Sequence, residues 1–344
     1  MSSTDNRRVI YLDLLRIVSM IAVVVLHTAS ARQIYVDVYS LAWNSFNIYN
    51  GIVRWAVPVF VMISGALFLN PLREVTVKQI LTKNLLRIVT VYIFWSVLNA
   101  FIDSLMYSGS FFDYLISGRY HMWFLLMIAG LYLVVPLLRK ITVDNVITRY
   151  FLILSFVMAI LLPAVGALLK PLNIGLVNSI SEVFGRMNFL GYVFYFVLGY
   201  YLSSVDIPKK SMGICYILGV FGFISTVLLT LLSSFYSGET NEFFYGYLTV
   251  NVMLESVLVF VLFKNKIQVK NDKAKKVIMY LSKLSLGVYM THVFFLELFI
   301  KLGLDTLSMN PVISVPCISI LAVLMSLLVS ALLNKVPVVN KYFI

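Results

Sequence analysis

Ten long apolar runs divide this chain, near residues 10–30, 46–69, 85–107, 121–138, 150–169, 187–203, 212–235, 245–263, 283–303 and 312–333. Each can cross a hydrocarbon core about 30 Å thick as a helix rising about 1.5 Å per residue. The pattern predicts an all-α fold: a polytopic membrane bundle of about ten transmembrane helices, forming one integral membrane domain over 1–344. Two runs carry interruptions. Asn50, Gly51 and Arg54 fall inside the second, and Pro163 and Gly166 break the end of the fifth. No span-level repeat and no low-complexity tract is evident.

Composition agrees with the pattern: 61% of residues are hydrophobic and 12% charged, which excludes an ordinary soluble domain. The net charge of +12 raises the question of nucleic acid. Its basic residues, however, do not gather on one patch but fall between apolar runs, so membrane lipids and not nucleic acid are the expected partner. Loop by loop, 20 Lys and Arg fall on one side and 5 on the other (Arg32, Arg119, Lys170, Arg186 and Lys301), with Arg16 and Arg54 inside the membrane. This asymmetry places both termini in the cytoplasm. The seven lysines over Lys264–Lys283 read as the one long cytoplasmic segment between spans, an anchor on anionic headgroups as a loop or a short amphipathic helix, with cofactor phosphates as the alternative partner. Arg7, Arg8 and the run Ile17–Leu26 imitate a signal peptide, but Asp13 and Arg16 lie where such a peptide is uncharged. The first helix is therefore expected to stay. Cys215 and Cys317 read as small buried hydrophobes.

Ionisable residues inside the spans carry the candidate chemistry, because such groups are costly in lipid and serve a pathway or a reaction. His27 follows Arg16 by eleven residues, which returns to nearly the same helix face about 16 Å further along. Asp13, one turn before Arg16, can pair with it. Alternating span direction sorts the others by depth. An outer group holds His27, Arg54, Asp103, His121 and Glu297, with His292 at mid-depth; an inner group holds Arg16, Ser64 and Arg87. A histidine near the outer face suits a general base, and inner arginines suit the phosphates of a cytoplasmic donor. Plainer readings stand beside these. The histidines could hydrogen-bond between helices, Arg87 could snorkel, and Glu255 could pack against a cation. Three histidines on three spans could also ligate zinc, but no carboxylate or thiol sits beside them at ligand spacing, so no metal is expected.

Five segments in order resemble the acyltransferase-3 family of integral membrane acyltransferases. They are Tyr11-Leu-Asp-Leu-Leu-Arg16 with His27; Val57-Pro-Val-Phe-Val-Met-Ile-Ser-Gly65; Tyr120-His-Met-Trp-Phe124 with Tyr132 and Pro136; Phe194-Tyr-Phe196 with Gly199; and Ser285-Leu-Gly-Val-Tyr-Met-Thr-His292. The likeness runs from residue 11 to about 297. It is greatest to the stand-alone branch that includes the O-acetyltransferase of enterobacterial common antigen, and no racemase or periplasmic hydrolase-like domain is read here.

The resemblance implies transfer of an acyl group, acetyl above all, from cytoplasmic acetyl-CoA to a hydroxyl of a surface glycan or its lipid-linked precursor, at a bacterial cytoplasmic membrane. Carried over by position, His27 would be the catalytic base, with Arg54 and His121 beside it. Arg16, Arg87, Ser64, Tyr289 and His292 would line or support the donor site. Ser64 could be imagined as a nucleophile, but it lies too far inward from His27, and the Ser-Gly pair suits close helix packing instead. The rival expectation is a proton-coupled exporter using His27, Asp103, His292 and Glu297 as a relay. That would call for matching broken helices in two repeated halves, which the sequence does not offer.

Overall fold

The computed structural model describes residues 9–73, 75–107, 109–169 and 188–343; Arg7, Arg8, Lys170 and Arg186, counted above toward orientation, lie outside them. The described residues form helices and turns without strands. In chain order the helices are α1 (Ile10–Gln33), α2 (Leu41–Gly51), α3 (Ala56–Phe68), α4 (Val77–Met106), α5 (Phe111–Ser117), α6 (Trp123–Ile141) and α7 (Asn145–Leu169). They continue as α8 (Asn188–Ser204), α9 (Lys209–Ser237), α10 (Val250–Lys266), α11 (Asp272–Lys301), α12 (Pro311–Leu333) and the short α13 (Pro337–Tyr342).

Nine helical segments among the described residues are long and apolar enough to cross a membrane. They coincide with nine of the ten expected runs. The remaining run, near 187–203, corresponds to α8, a helix of 17 residues and so about 25 Å long.

Three expectations are corrected. The second span is not one helix: it stops at Gly51, turns through Ile52–Trp55 and restarts at Ala56, where Trp55 Nε1 donates to the Ile52 carbonyl at 2.9 Å. The break falls at the polar cluster Asn50-Gly51-Arg54, as a helix interrupted within lipid must when its freed backbone groups need partners. The Lys264–Lys283 loop is mostly helix. Asn271 accepts from the Lys273 and Ala274 amides and starts α11 there, so only residues 267–271 connect. In the fifth span a π-helical turn, Val157–Leu161, carries the chain on to Leu162–Leu169, and Pro163 does not end it.

α1 is the hub. It packs against α2, α3, α10, α11 and α12, because apolar residues such as Leu15, Val24 and Ala29 surround it instead of forming one stripe. A helix apolar all round belongs in a core. α3 and α8 approach most closely. A Cβ on Gly65 would lie 1.7 Å from the Phe196 carbonyl oxygen, and one on Gly199 would lie 2.1 Å from that of Met62. Small residues let these backbones touch, the usual way helices associate without a hydrophobic drive between them.

Several cations close helix ends. Arg139 donates to the carbonyls of Phe68 at 2.8 Å, Asn70 at 3.2 Å and Arg73 at 2.9 Å, completing the C-terminus of α3. Lys264 Nζ does the same for α8, reaching the Leu202 and Val205 carbonyls at 2.7 and 2.6 Å. Both supply donors to carbonyls that a helix end leaves unsatisfied. At the other end of the bundle Arg32 pairs with Asp305 at 2.5 Å. Burial pushes the Asp305 carboxyl up, but the Leu307 amide and Arg32 outweigh it and hold it below the usual carboxylate range.

Candidate functional site

Helix geometry places Val23 and His27 one turn apart on α1, and both face one narrow cavity. Val57 and Phe60 line it from α3, and Trp123 and Phe124 from α6. His121 comes from the turn before α6, Tyr247 from the turn before α10 and Tyr289 from α11. Apolar walls with a few converging polar groups are what a small-molecule site requires.

The histidines read separately in the sequence are brought together here. The His27 ring lies 5.2 Å from that of His292 and 5.2 Å from that of Tyr120, centroid to centroid. His121 stands 5.6 Å from both His292 and Tyr289. The Tyr289 hydroxyl donates to the His121 carbonyl, tying α11 to the turn that carries His121. His292 Nδ1 sits 2.7 Å from the Tyr289 carbonyl and 3.2 Å from that of Val288. Carbonyls only accept, so Nδ1 carries the proton and Nε2 carries the lone pair. His292 Nε2 and both ring nitrogens of His121 are buried without hydrogen-bond partners among the described residues. Buried nitrogens left unmatched are costly, so each calls for a partner that the protein itself does not supply.

Arg54 owes its place to the break between α2 and α3. Its guanidinium covers the Tyr245 ring at 4.2 Å, its charge acts on His27, and it reaches the Tyr247 side chain that lines the cavity. Its Nε is buried without a partner among the described residues. A buried amide network holds this corner. Tyr245 Oη donates to Asn47 Oδ1 at 2.6 Å and accepts from Gln33 Nε2 at 2.9 Å, while Asn50 Nδ2 donates to Gln33 Oε1 at 2.8 Å. Sequence reasoning missed this network, although Asn47, Asn50 and Arg54 share one face of an apolar run at helical spacing.

Toward the N-terminal end of α1 Arg16 meets Asp13 at 3.4 Å, as expected, and also donates to Ser282 Oγ at 3.0 Å. Arg16 and Arg87 lie near enough to Tyr132 for their charges to act on it, and Arg87 is exposed. Ser64 donates to the Phe60 carbonyl at 3.1 Å within its own helix. His292 lies ten residues beyond Ser282 on α11, about 15 Å along the axis, and so belongs with His27 and not with the inner arginines.

At the opposite end of the bundle Arg119, read from sequence as a loop cation, is only 8% exposed. It makes two contacts with Asp103 and one at 2.9 Å with Glu297, joining α4 and α11 beside the His121 turn. Tyr120, the next residue, is 60% exposed although its ring touches His27. Glu255 stands apart: fully buried, it accepts from Thr226, which itself accepts from Asn251 at 2.8 Å. This joins α9 to α10.

A polytopic helical bundle enclosing a pocket lined by two histidines is the frame of an integral membrane enzyme. The acyltransferase-3 family model, described as an acyltransferase domain, matches residues 9–334. The chain belongs to that family and is a multi-pass membrane acyltransferase. No curated protein and no solved structure matches it.

Proposed function

We propose that this protein is an O-acyltransferase that moves an acetyl group from cytoplasmic acetyl-CoA to a hydroxyl of a cell-surface glycan or its lipid-linked precursor, in a bacterial cytoplasmic membrane. The observation that carries the reading is that His27 and His121 face one cavity, with Arg16 further along the His27 helix and the exposed Tyr120 against the His27 ring. Donor and acceptor approach from opposite ends and meet at one imidazole.

In this reading the arginines hold the CoA phosphates, guanidinium being permanently charged and shaped for phosphate oxygens. The pantetheine arm runs along α1 and brings the thioester carbonyl to His27. His27 removes the acceptor proton as the new C–O bond forms. The carbonyl oxygen takes up negative charge, and Arg54 and His121 stand ready to donate to it. The C–S bond then breaks, and the imidazolium returns its proton to the CoA sulfur. The Arg119–Asp103–Glu297 network and Tyr120 form the rim over which the acceptor passes.

The test has two parts. Purified protein should be stabilised against heat by CoA, and surface glycans of cells carrying the gene should gain about 42 Da per modified residue, the mass of an acetyl group replacing a hydrogen. No stabilisation by CoA and unchanged glycans in cells that make the protein would overturn the reading.

A further inference from the structure

The cavity that His27 and His121 face is small. It offers about 20 Å³, where a single water needs roughly 10–15 Å³ counted the same way. It therefore admits one group the size of a water or a methyl, with little to spare. Its boundary is aromatic. Phe124 sits at the centre of the wall, with the ring of Phe60 at 6.0 Å, that of Tyr289 at 5.8 Å and that of Trp123 at 6.2 Å, centroid to centroid. Trp123 in turn stacks on Tyr247 at 6.0 Å. These are separations of rings in contact, so Phe124 cannot retreat without moving a ring on another element. Val23 and Val57, both buried, close the rest of the hydrocarbon lining. Few polar atoms stand against it. Both ring nitrogens of His121 are buried without a partner among the described residues, and the Tyr289 hydroxyl is already spent on the His121 carbonyl.

We infer that this cavity is the acyl subsite and that its Phe60–Phe124 wall is the ruler that limits the acyl group to acetyl. This rests on the reading of the protein as a CoA-dependent acyltransferase. An acetyl group brings one carbonyl oxygen, which needs a donor, and one methyl, which needs a water-sized apolar space. Neutral His121 carries one ring N–H and so supplies the donor; the valine and phenylalanine side chains supply the space. A propionyl or butyryl group drives one or two further methylenes into rings that already touch. Overfilling a packed site forces side chains off their rotamers or backbones apart. One methylene more in a hydrophobic pocket accordingly shifts kcat/KM about 10- to 200-fold. The ruler is built from two helices, with Phe60 on α3 and Phe124 on α6, and it stands beside the histidines that line the same cavity.

The test uses the full chain in membrane vesicles and follows release of CoA thiol from acetyl-, propionyl- and butyryl-CoA in turn, which counts transfer to any acceptor, water included. Wild-type kcat/KM should fall about 10- to 200-fold from acetyl to propionyl, and fall again to butyryl. Phe124→Ala removes the central ring and should raise the butyryl-to-acetyl ratio of kcat/KM by about 10-fold or more. Phe60→Leu should raise it in the same direction by less. If the alanine variant does not accumulate, Phe124→Leu replaces it with the same expectation. Calorimetric titration with CoA, which carries no acyl group, should give one affinity for wild type and variants, because the change is confined to the acyl end. Butyryl-CoA used by wild type as readily as acetyl-CoA would overturn the inference and leave the acyltransferase reading standing. So would an unchanged ratio in the Phe124 variant, since loss on every donor alike is the signature of disturbed packing. No thiol release from any of the three donors, with no binding of CoA, would sink the donor reading itself and the inference with it.

Discussion

Arg16 donates to Ser282 Oγ at 3.0 Å, and Ser282 Oγ donates in turn to Asp13 Oδ1 at 2.6 Å. One hydroxyl thus fastens the inner end of α1 to α11 and holds the guanidinium that the proposed donor site needs. Arg16→Ala and Arg87→Ala should each weaken CoA binding in a folded protein, with lysine restoring only part because the planar fork is lost. Ser282→Ala removes both of these hydrogen bonds, should cost about 1–3 kcal/mol of stability, and should weaken CoA binding less than Arg16→Ala does. Calorimetric titration of CoA into purified variants checks this. Unaltered affinity in both arginine-to-alanine variants would assign these residues to structure alone.

His27→Ala should abolish acyl transfer, since removing a general base costs about 10²- to 10⁴-fold. CoA binding should survive, because Arg16 lies about 16 Å away along the helix. Gln, Asn and Phe should fail as well. Near-normal surface acylation by His27→Gln at matched expression would reduce His27 to a helix-packing residue and move the base to His121 or His292.

Arg119→Ala should destabilise the protein more than any exposed charge removal. It leaves Asp103 and Glu297 facing each other without their shared cation, and breaking a buried ionic network from one side commonly costs about 3–5 kcal/mol. Glu297→Gln, at a site 28% exposed, should cost far less. Thermal unfolding in detergent compares the two. Equal midpoints would mean that the network is solvated and carries no stability.

Gly199→Val should be poorly tolerated. Even a Cβ would meet the Met62 backbone at 2.1 Å, so α3 and α8 must separate, and overpacking of this kind costs about 1–3 kcal/mol or more. Because α3 carries Val57 and Phe60 into the cavity, activity should fall along with stability. A variant of wild-type melting temperature would show that the two helices can slide apart freely.

Orientation can be read directly. In a background lacking Cys215 and Cys317, Ser237→Cys should react with a membrane-impermeant thiol reagent on intact cells, and Lys270→Cys should not. Lys270 is chosen because its neighbour Asn271 caps α11. The reverse labelling pattern would invert the assignment of donor and acceptor sides.

The sequence alone determined which segments enter the membrane, because the hydrocarbon core imposes length and apolarity on each segment by itself. The same local rules predicted the pairing of Asp13 with Arg16 and set His27 on the Arg16 face, both consequences of helix periodicity within one element. What periodicity does not carry is the relation between elements. Only the tertiary structure put His292 beside His27, buried Arg119 between Asp103 and Glu297, and turned the Asn50–Arg54 interruption into a break that aims a guanidinium at the pocket. Each of these depends on how α1, α3, α6 and α11 rotate against one another. That rotation is decided by backbone contacts such as Gly65 on Phe196 and by buried hydrogen bonds whose partners lie far apart in the chain. The Lys264–Lys283 segment shows the same division. Its charges were legible as an inner anchor, but whether they sat on a loop or on the first turns of α11 was settled by a cap at Asn271 and by the packing of the helix that follows.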